Sequence, residues 1–269
     1  MHNVIAFIGA GNMGSSLIGG LIQNGYTPNQ IWASDPSEEK LRHLKTKFNI
    51  GTTQNNDQAI ASADVVIFAV KPQVFAQIAS ALSAKIRLHH PLIMSVAAGI
   101  REASIQHWLG GEQAIVRVMP NTPALIGCGA SALYANSFVS EAQHELAESI
   151  MRAVGVIVWL ENEKQMDTVT ALSGCGPAYF FLMMEALQAA AEELGLPSET
   201  ARLLTLETGL GAVRMAIESG ATLTELRQRV ASPGGSTEKA LSVLEENNIR
   251  DIYKKALLAA KLRSEELGK

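Results

Sequence analysis

The sequence has no excess of basic charge: 22 lysines and arginines stand against 26 aspartates and glutamates, with no basic stripe and no run of like charges. That balance argues against a nucleic-acid partner and against an anionic membrane surface. No apolar stretch approaches the ~20 residues that cross a bilayer, and the first strand-like run starts too early, with too little positive charge, for a signal peptide. A cytoplasmic location is therefore expected. Cysteine is scarce as well, since Cys128 and Cys175 make neither a CxxC pair nor a disulfide framework, consistent with a reducing compartment. The histidines (His2, His43, His89, His90, His107 and His144) show no ligand spacing with each other or with a cysteine, so no bound metal is expected. What remains is a chain of 269 residues, 47% hydrophobic and 18% charged, long enough to bury the cores of two domains.

The stretch that organises the chain is VIAFIGAGNMG at 4–14. Residues 4–8 read as a strand buried on both faces, and 13–23 as the amphipathic helix after it. In the turn between them, Gly9 and Gly11 permit close approach of backbone to a ligand, while Gly14 lets the helix lie on the strand. With the free N–H groups and dipole at the helix start, Gly9, Ala10, Gly11, Asn12, Met13 and Gly14 form an expected pyrophosphate site. A second strand at 30–34 ends at Asp35, 21 positions after Gly14. There an acidic side chain can accept from the adenine-side ribose, which favours NAD. Ser34 and Ser37 can instead bond a 2′-phosphate, and Asp35 can simply cap the helix at 38–48, so NADPH and NADH both stay open.

A short strand at 50–52 precedes a buried one at 64–70, whose end places Ala69, Val70 and Lys71 in the crevice beyond a parallel sheet. Lys71 also fits a solvated charge, and Pro72 a helix start at 73–82. The strand at 92–96 ends in Ala97, Ala98 and Gly99, small enough for a nicotinamide to reach the backbone. The strand at 114–118 leads into a loop fixed by Pro120 and Pro123, in which Asn121 and Thr122 either hold substrate or bond their own turn. Strands at 131–134 and 156–160 flank a helix at 141–153. Beyond 161–165 every periodic segment is helical: 177–194, 198–218, 222–230, 236–246 and 249–267. The expected class is α/β: a Rossmann-type, doubly wound, mostly parallel sheet over 1–162, then an all-α domain over 163–269. Residues 178–184 are apolar nearly all round, which suits a helix covered by neighbours, either in an intertwined homodimer or in a monomeric bundle.

A second glycine-rich turn, SPGGST at 232–237, lies between two of those helices. The N–H groups of Gly235, Ser236 and Thr237 can converge on a carboxylate at a helix start, although a plain inter-helix cap would look the same. SGCGP at 173–177 is built likewise. Two anion sites in one chain imply a dinucleotide enzyme acting on a small carboxylate.

With those residues in hand, the chain resembles the pyrroline-5-carboxylate reductase family. The matching pieces run in order across both halves: FIGAGNMG (7–14), FAVKP (68–72), AAG (97–99), MPNTP (119–123), LSGCGPAY (172–179) and ASPGGSTEKAL (231–241). The resemblance implies reduction of 1-pyrroline-5-carboxylate to proline with NADPH or NADH, by a homodimer of interlocked helical domains that assembles further into a ring of dimers. It also implies that Gly9–Gly14 hold the pyrophosphate, Ser34 and Asp35 the ribose, and Asn56, Ala69 and Lys71 the rest of the cofactor. Gly234, Gly235, Ser236 and Thr237 would hold the substrate carboxylate, with the Thr237 hydroxyl on the ring nitrogen and Glu163 beside the substrate. Asp35 departs from NADPH-preferring relatives that carry serine there. A 3-hydroxyacid dehydrogenase would need a basic lysine on the first long helix of the second domain, and residues 179–192 contain none. The chemistry requires the two anion sites to face one another across a cleft.

Overall fold

The computed structural model describes residues 3–268, so His2 lies outside the described residues. They divide into two compact units: residues up to Pro177 together with those from Ala259 onward, and Ala178–Leu258.

The first unit carries β1 (Ile5–Ile8), β2 (Ile31–Ser34), β3 (Gly51–Thr53), β4 (Val65–Phe68), β5 (Leu92–Ser95), β6 (Ile115–Met119), β7 (Gly129–Ala135) and β8 (Gly155–Trp159). They form one sheet in the order β3-β2-β1-β4-β5-β6-β7-β8. Pairing is parallel except between β6 and β7. That exception follows from the link: 120–128, a 3-10 turn at Thr122–Ile126 with proline at its start, is too short for a parallel crossover. The helices are α1 (Asn12–Gln23), α2 (Glu38–Phe48), α3 (Asn56–Ala59), α4 (Pro72–His89), α5 (Glu102–Leu109), α6 (Glu141–Arg152) and α7 (Met166–Val169). Alternate side chains of β1 enter two cores. Ile5 and Phe7 meet Leu17 and Leu21 of α1, Leu41 and Leu44 of α2 and Ile150 of α6. Ala6 and Ile8 share the other with Phe75 and Leu82 of α4 and Ile105 of α5. Cover on both faces is why the parallel strands read as continuous apolar runs. The strand order reverses between β1 and β4, which puts the ligand crevice beyond their carboxyl ends.

The second unit takes most of α8 (Gly176–Glu193), all of α9 (Ser198–Glu218), α10 (Leu223–Val230) and α11 (Ser236–Glu246), and the first part of α12 (Ile249–Leu267). Its helices are poorly covered by their own chain. Phe180, Phe181 and Leu182 of α8 are 56%, 62% and 65% exposed, so the cover expected for 178–184 is not supplied within one chain. Leu203, Val213 and Ile217 of α9 are equally open. An apolar surface of this extent marks an interface, because single exposed leucines are ordinary but a contiguous face is not.

The end of α12 belongs to the first unit, which the helical periodicity of 249–267 does not reveal. Gly99 sits at φ +80, and a Cβ there would lie 2.8 Å from the Ser264 carbonyl oxygen. The small residues after β5, read from sequence as room for a nicotinamide, are thus used at Gly99 to admit the last turn of α12.

Candidate active site

The glycine turn divides its work among three positions. Gly9 takes φ +106, and a Cβ would meet the Ala69 carbonyl oxygen at 2.5 Å. Gly14 lies against that turn, since its Cβ would fall 2.6 Å from the Gly9 oxygen. At Gly11, the N-cap of α1, nothing stands within 4 Å of a Cβ, so the backbone there is open to a ligand. It opens into a cavity of about 560 Å³ beyond β1 and β4, whose walls include Ile8, Gly9 and Gly11. Ser34, Asp35 and Asn56 line the adenine side expected from the sheet, and Ala69, Val70 and Lys71 the end of β4. Pro36, Lys40 and, from α4, Val74, Gln77, Ile78 and Ala81 complete it; the helical spacing of the last four is a signal the sequence carried but that points equally well to ordinary packing. Gly11 walls this space and a Cβ on it would meet no protein atom, so the cradle fits a dinucleotide pyrophosphate lying on the N–H groups at the start of α1.

A second cavity of about 520 Å³ borders the first at Gly11 and Lys40 and is lined also by Ala10, Asn12 and Ser37. The walls of the first cavity do not include Met13, which packs on the core, Pro72, which starts α4, or Ala97 and Ala98. Asp35 is buried, and both its oxygens are engaged. Oδ2 accepts from the Ala10 N–H and Oδ1 from the Ser37 N–H, each at 2.9 Å. Lys40 Nζ stands 3.5 Å from Oδ2, a pairing that sequence spacing did not suggest. Helix α2 is capped by the Ser37 hydroxyl, so the carboxylate is not its cap. Ser34 Oγ donates to Asn56 Oδ1 at 2.5 Å, joining the end of β2 to the start of α3 on the adenine side.

Of three residues expected at the substrate, Asn121 and Glu163 are occupied with structural work and Thr122 lies elsewhere. Buried Asn121 donates to the Ser173 carbonyl at 3.1 Å and accepts from the Ala130 N–H at 2.9 Å, tying the proline-fixed loop to a π-helical turn at Thr170–Gly174. Thr122 is exposed and lines a separate cavity with Asn12, His43 and Phe48. Glu163 Oε1 accepts from the Glu102 N–H at 2.6 Å, serving as the missing cap of α5, and from Arg117 Nη1 at 2.8 Å.

Arg117 points from β6 into a buried ionic cluster that sequence reading missed. Burial pulls its guanidinium below the ordinary value, against the upward pull of Glu163. Arg101 Nη2 meets Asp167 Oδ2 at 2.6 Å, and Ser264 Oγ donates to Asp167 Oδ1 at 2.8 Å, which anchors α12. Replacing Arg117 by alanine strands the partly shielded Glu163, and chemical denaturation is expected to register a loss of about 3 kcal/mol.

In the second unit the turn at 232–237 opens α11. Gly234 is at φ +73, and the Gly235 N–H bonds the Ser232 carbonyl at 3.0 Å. That bond removes Gly235 from the three N–H groups expected to meet a carboxylate. The N–H groups of Ser236 and Thr237, the first two residues of α11, have no partner among the described residues, as the first turn of a helix leaves them without intrahelical ones. The half-buried Thr237 hydroxyl has no partner among the described residues.

Comparison with known proteins agrees with both halves. Residues 163–267 match the profile described as pyrroline-5-carboxylate reductase dimerisation, and residues 4–99 one described as NADP oxidoreductase coenzyme F420-dependent. A pyrroline-5-carboxylate reductase of Pseudomonas aeruginosa is 50% identical over 98% of this chain and 96% of its own. One of Vibrio alginolyticus is 44% identical over 100% and 98%. The solved pyrroline-5-carboxylate reductase of Coxiella burnetii superposes with a TM-score of 0.92 at 49% identity, covering 100% of both chains. That of Plasmodium falciparum, solved with NADP bound, gives 0.92 at 29% identity over 99% and 98%. The chain belongs to the pyrroline-5-carboxylate reductase family, and the exposed faces of α8 and α9 lie in its dimerisation region.

Proposed function

We propose that this chain reduces the C=N bond of 1-pyrroline-5-carboxylate to L-proline, the last step of proline synthesis. The observation that carries this reading is the joint presence of an open glycine cradle at Gly11 and free N–H groups beside an unpartnered Thr237 hydroxyl, in a chain matched over its full length by such reductases. A nicotinamide dinucleotide, NADPH or NADH, supplies the hydride when bound. Gly9–Gly14 hold its pyrophosphate, and Ser34, Asp35 and Asn56 flank its ribose. Ser236 and Thr237 hold the substrate carboxylate through backbone N–H groups, and the Thr237 hydroxyl bonds the ring nitrogen. A protonated imine is already electrophilic, so orientation and charge placement supply most of the rate. Asn121 and Glu163 contribute by holding backbone in place.

Residues 1–162 act as the nucleotide domain and 163–269 as the substrate-binding and dimerisation domain. The dimers work in the cytoplasm and assemble further into a ring, which sedimentation would detect as a species larger than the dimer. The reading as a whole is tested by following oxidation of reduced cofactor on adding 1-pyrroline-5-carboxylate: steady, substrate-dependent oxidation supports it and none refutes it.

Asp35 sets the balance between the two cofactors. Its fixed negative charge opposes a 2′-phosphate at the same strand end, and opposite or like charges a few ångströms apart near a protein surface interact by several kcal/mol. Asp35→Ser is therefore expected to shift the NADPH-to-NADH ratio of kcat/KM toward NADPH by about 10-fold. An unchanged ratio would remove Asp35 from cofactor choice.

A further inference from the structure

Turn 232–237 is thinly braced. Pro233 has no N–H to donate. Gly235, at the N-cap of α11, has no side chain to bond the helix start. Gly234 holds its left-handed φ with nothing within 4 Å of a Cβ position, so packing does not fix it. Among the described residues, one backbone bond crosses the turn, Gly235 N–H to the Ser232 carbonyl. Against that background, Glu238, on the first turn of α11, reaches back and accepts from the Gly234 N–H through Oε2 at 2.6 Å. Hydrogen bonds to an ionised acceptor are short and about twice as strong as neutral ones, and a carboxylate is favoured at this end of a helix.

We propose that Glu238 is a positioning residue for substrate binding: it clamps Gly234 so that the free N–H groups of Ser236 and Thr237 keep one geometry for the substrate carboxylate. The proposal rests on the reading of this turn as the carboxylate cradle. Glu238 acts in two opposed ways. Its hydrogen bond orders the turn, which helps binding, while its negative charge, on the same first turn of α11 as those N–H groups, repels a carboxylate and weakens binding.

The two effects separate by substitution. Glu238→Gln keeps a carbonyl acceptor for the Gly234 N–H and removes the charge. It is expected to lower KM for 1-pyrroline-5-carboxylate about 2- to 5-fold, the range set by a single charge at a helix end, with kcat and cofactor KM unchanged. That gain should shrink as salt rises, because the interaction is partly exposed and screened. Glu238→Ala removes the clamp as well and is expected to raise the same KM about 10-fold, again without moving cofactor KM. A purely structural residue would instead lower the unfolding midpoint in both variants and leave KM per folded molecule, and its salt dependence, as in the parent. If both variants keep the parent KM while Thr237→Ala still loses turnover, Glu238 has no positioning role and the cradle stands. Should Thr237→Ala be silent too, the Thr237 hydroxyl is not on the ring nitrogen, and the reading of this turn falls with it.

Discussion

Thr237→Ala is expected to lower turnover by about 10-fold or more with cofactor affinity within a few fold of the parent. Thr237 is the second residue of α11, half-buried, and its hydroxyl is not spent on any other group among the described residues. A hydroxyl left unpaired beside free backbone donors is available to the ring nitrogen, and a positioned hydrogen-bonding or proton-transferring group contributes about 10²- to 10⁴-fold. The backbone donors of Ser236 and Thr237 survive the substitution, so carboxylate binding should fall little. Cofactor affinity should hold because the cavity that fits the dinucleotide is walled by residues between Ile8 and Ala81, none of them near position 237 in sequence. Thr237→Ser restores the hydroxyl and should recover most of the turnover. Equal steady-state constants in the alanine variant would take Thr237 out of the reaction.

The second large effect contrasts two glycines two residues apart. At Gly9 an alanine meets φ +106 and a backbone oxygen 2.5 Å from its Cβ. The dihedral alone costs about 1–3 kcal/mol, and neither strand end can move away without breaking sheet pairing. Gly9→Ala should therefore lose both stability and cofactor binding. At Gly11 the backbone is extended, with φ −74 and ψ −173, which alanine adopts freely, and its Cβ meets nothing. Gly11→Ala should keep the parent melting temperature within about 2 °C. Its methyl would nevertheless stand on a wall of the cavity, so dinucleotide affinity is expected to fall about 100-fold, as when one or two hydrogen bonds to a charged group are lost. Calorimetric binding of NADPH beside thermal unfolding checks the pair. A destabilised Gly11→Ala protein, or one that binds normally, would contradict the division of labour in the turn.

Much of the fold was legible because its physics is local. Strands covered on both faces, such as β1 and β4, cannot hide their continuous apolar runs, and Pro72 announces a helix start by its own chemistry. The crevice followed, since a glycine turn after the first strand and a strand end at Lys71 meet where parallel order reverses. What escaped was set by distant partners. Nothing around Glu163 says that its carboxylate will cap α5 and pair with Arg117, and Asn121 reads identically whether it bonds substrate or Ser173. Gly99 looked like room for a ring because the helix that fills that room lies more than 150 positions later. The dimer face was visible only as an excess: residues 178–184 are too apolar for one chain to cover.

The central claim is direct hydride delivery to the ring carbon of the C=N bond, and isotope transfer tests it most directly. With NADPH carrying deuterium at nicotinamide C4 on the transferred face, turnover of 1-pyrroline-5-carboxylate should give proline with one deuterium at C5. Proline formed without the label, or labelled cofactor consumed with no proline formed, would contradict it.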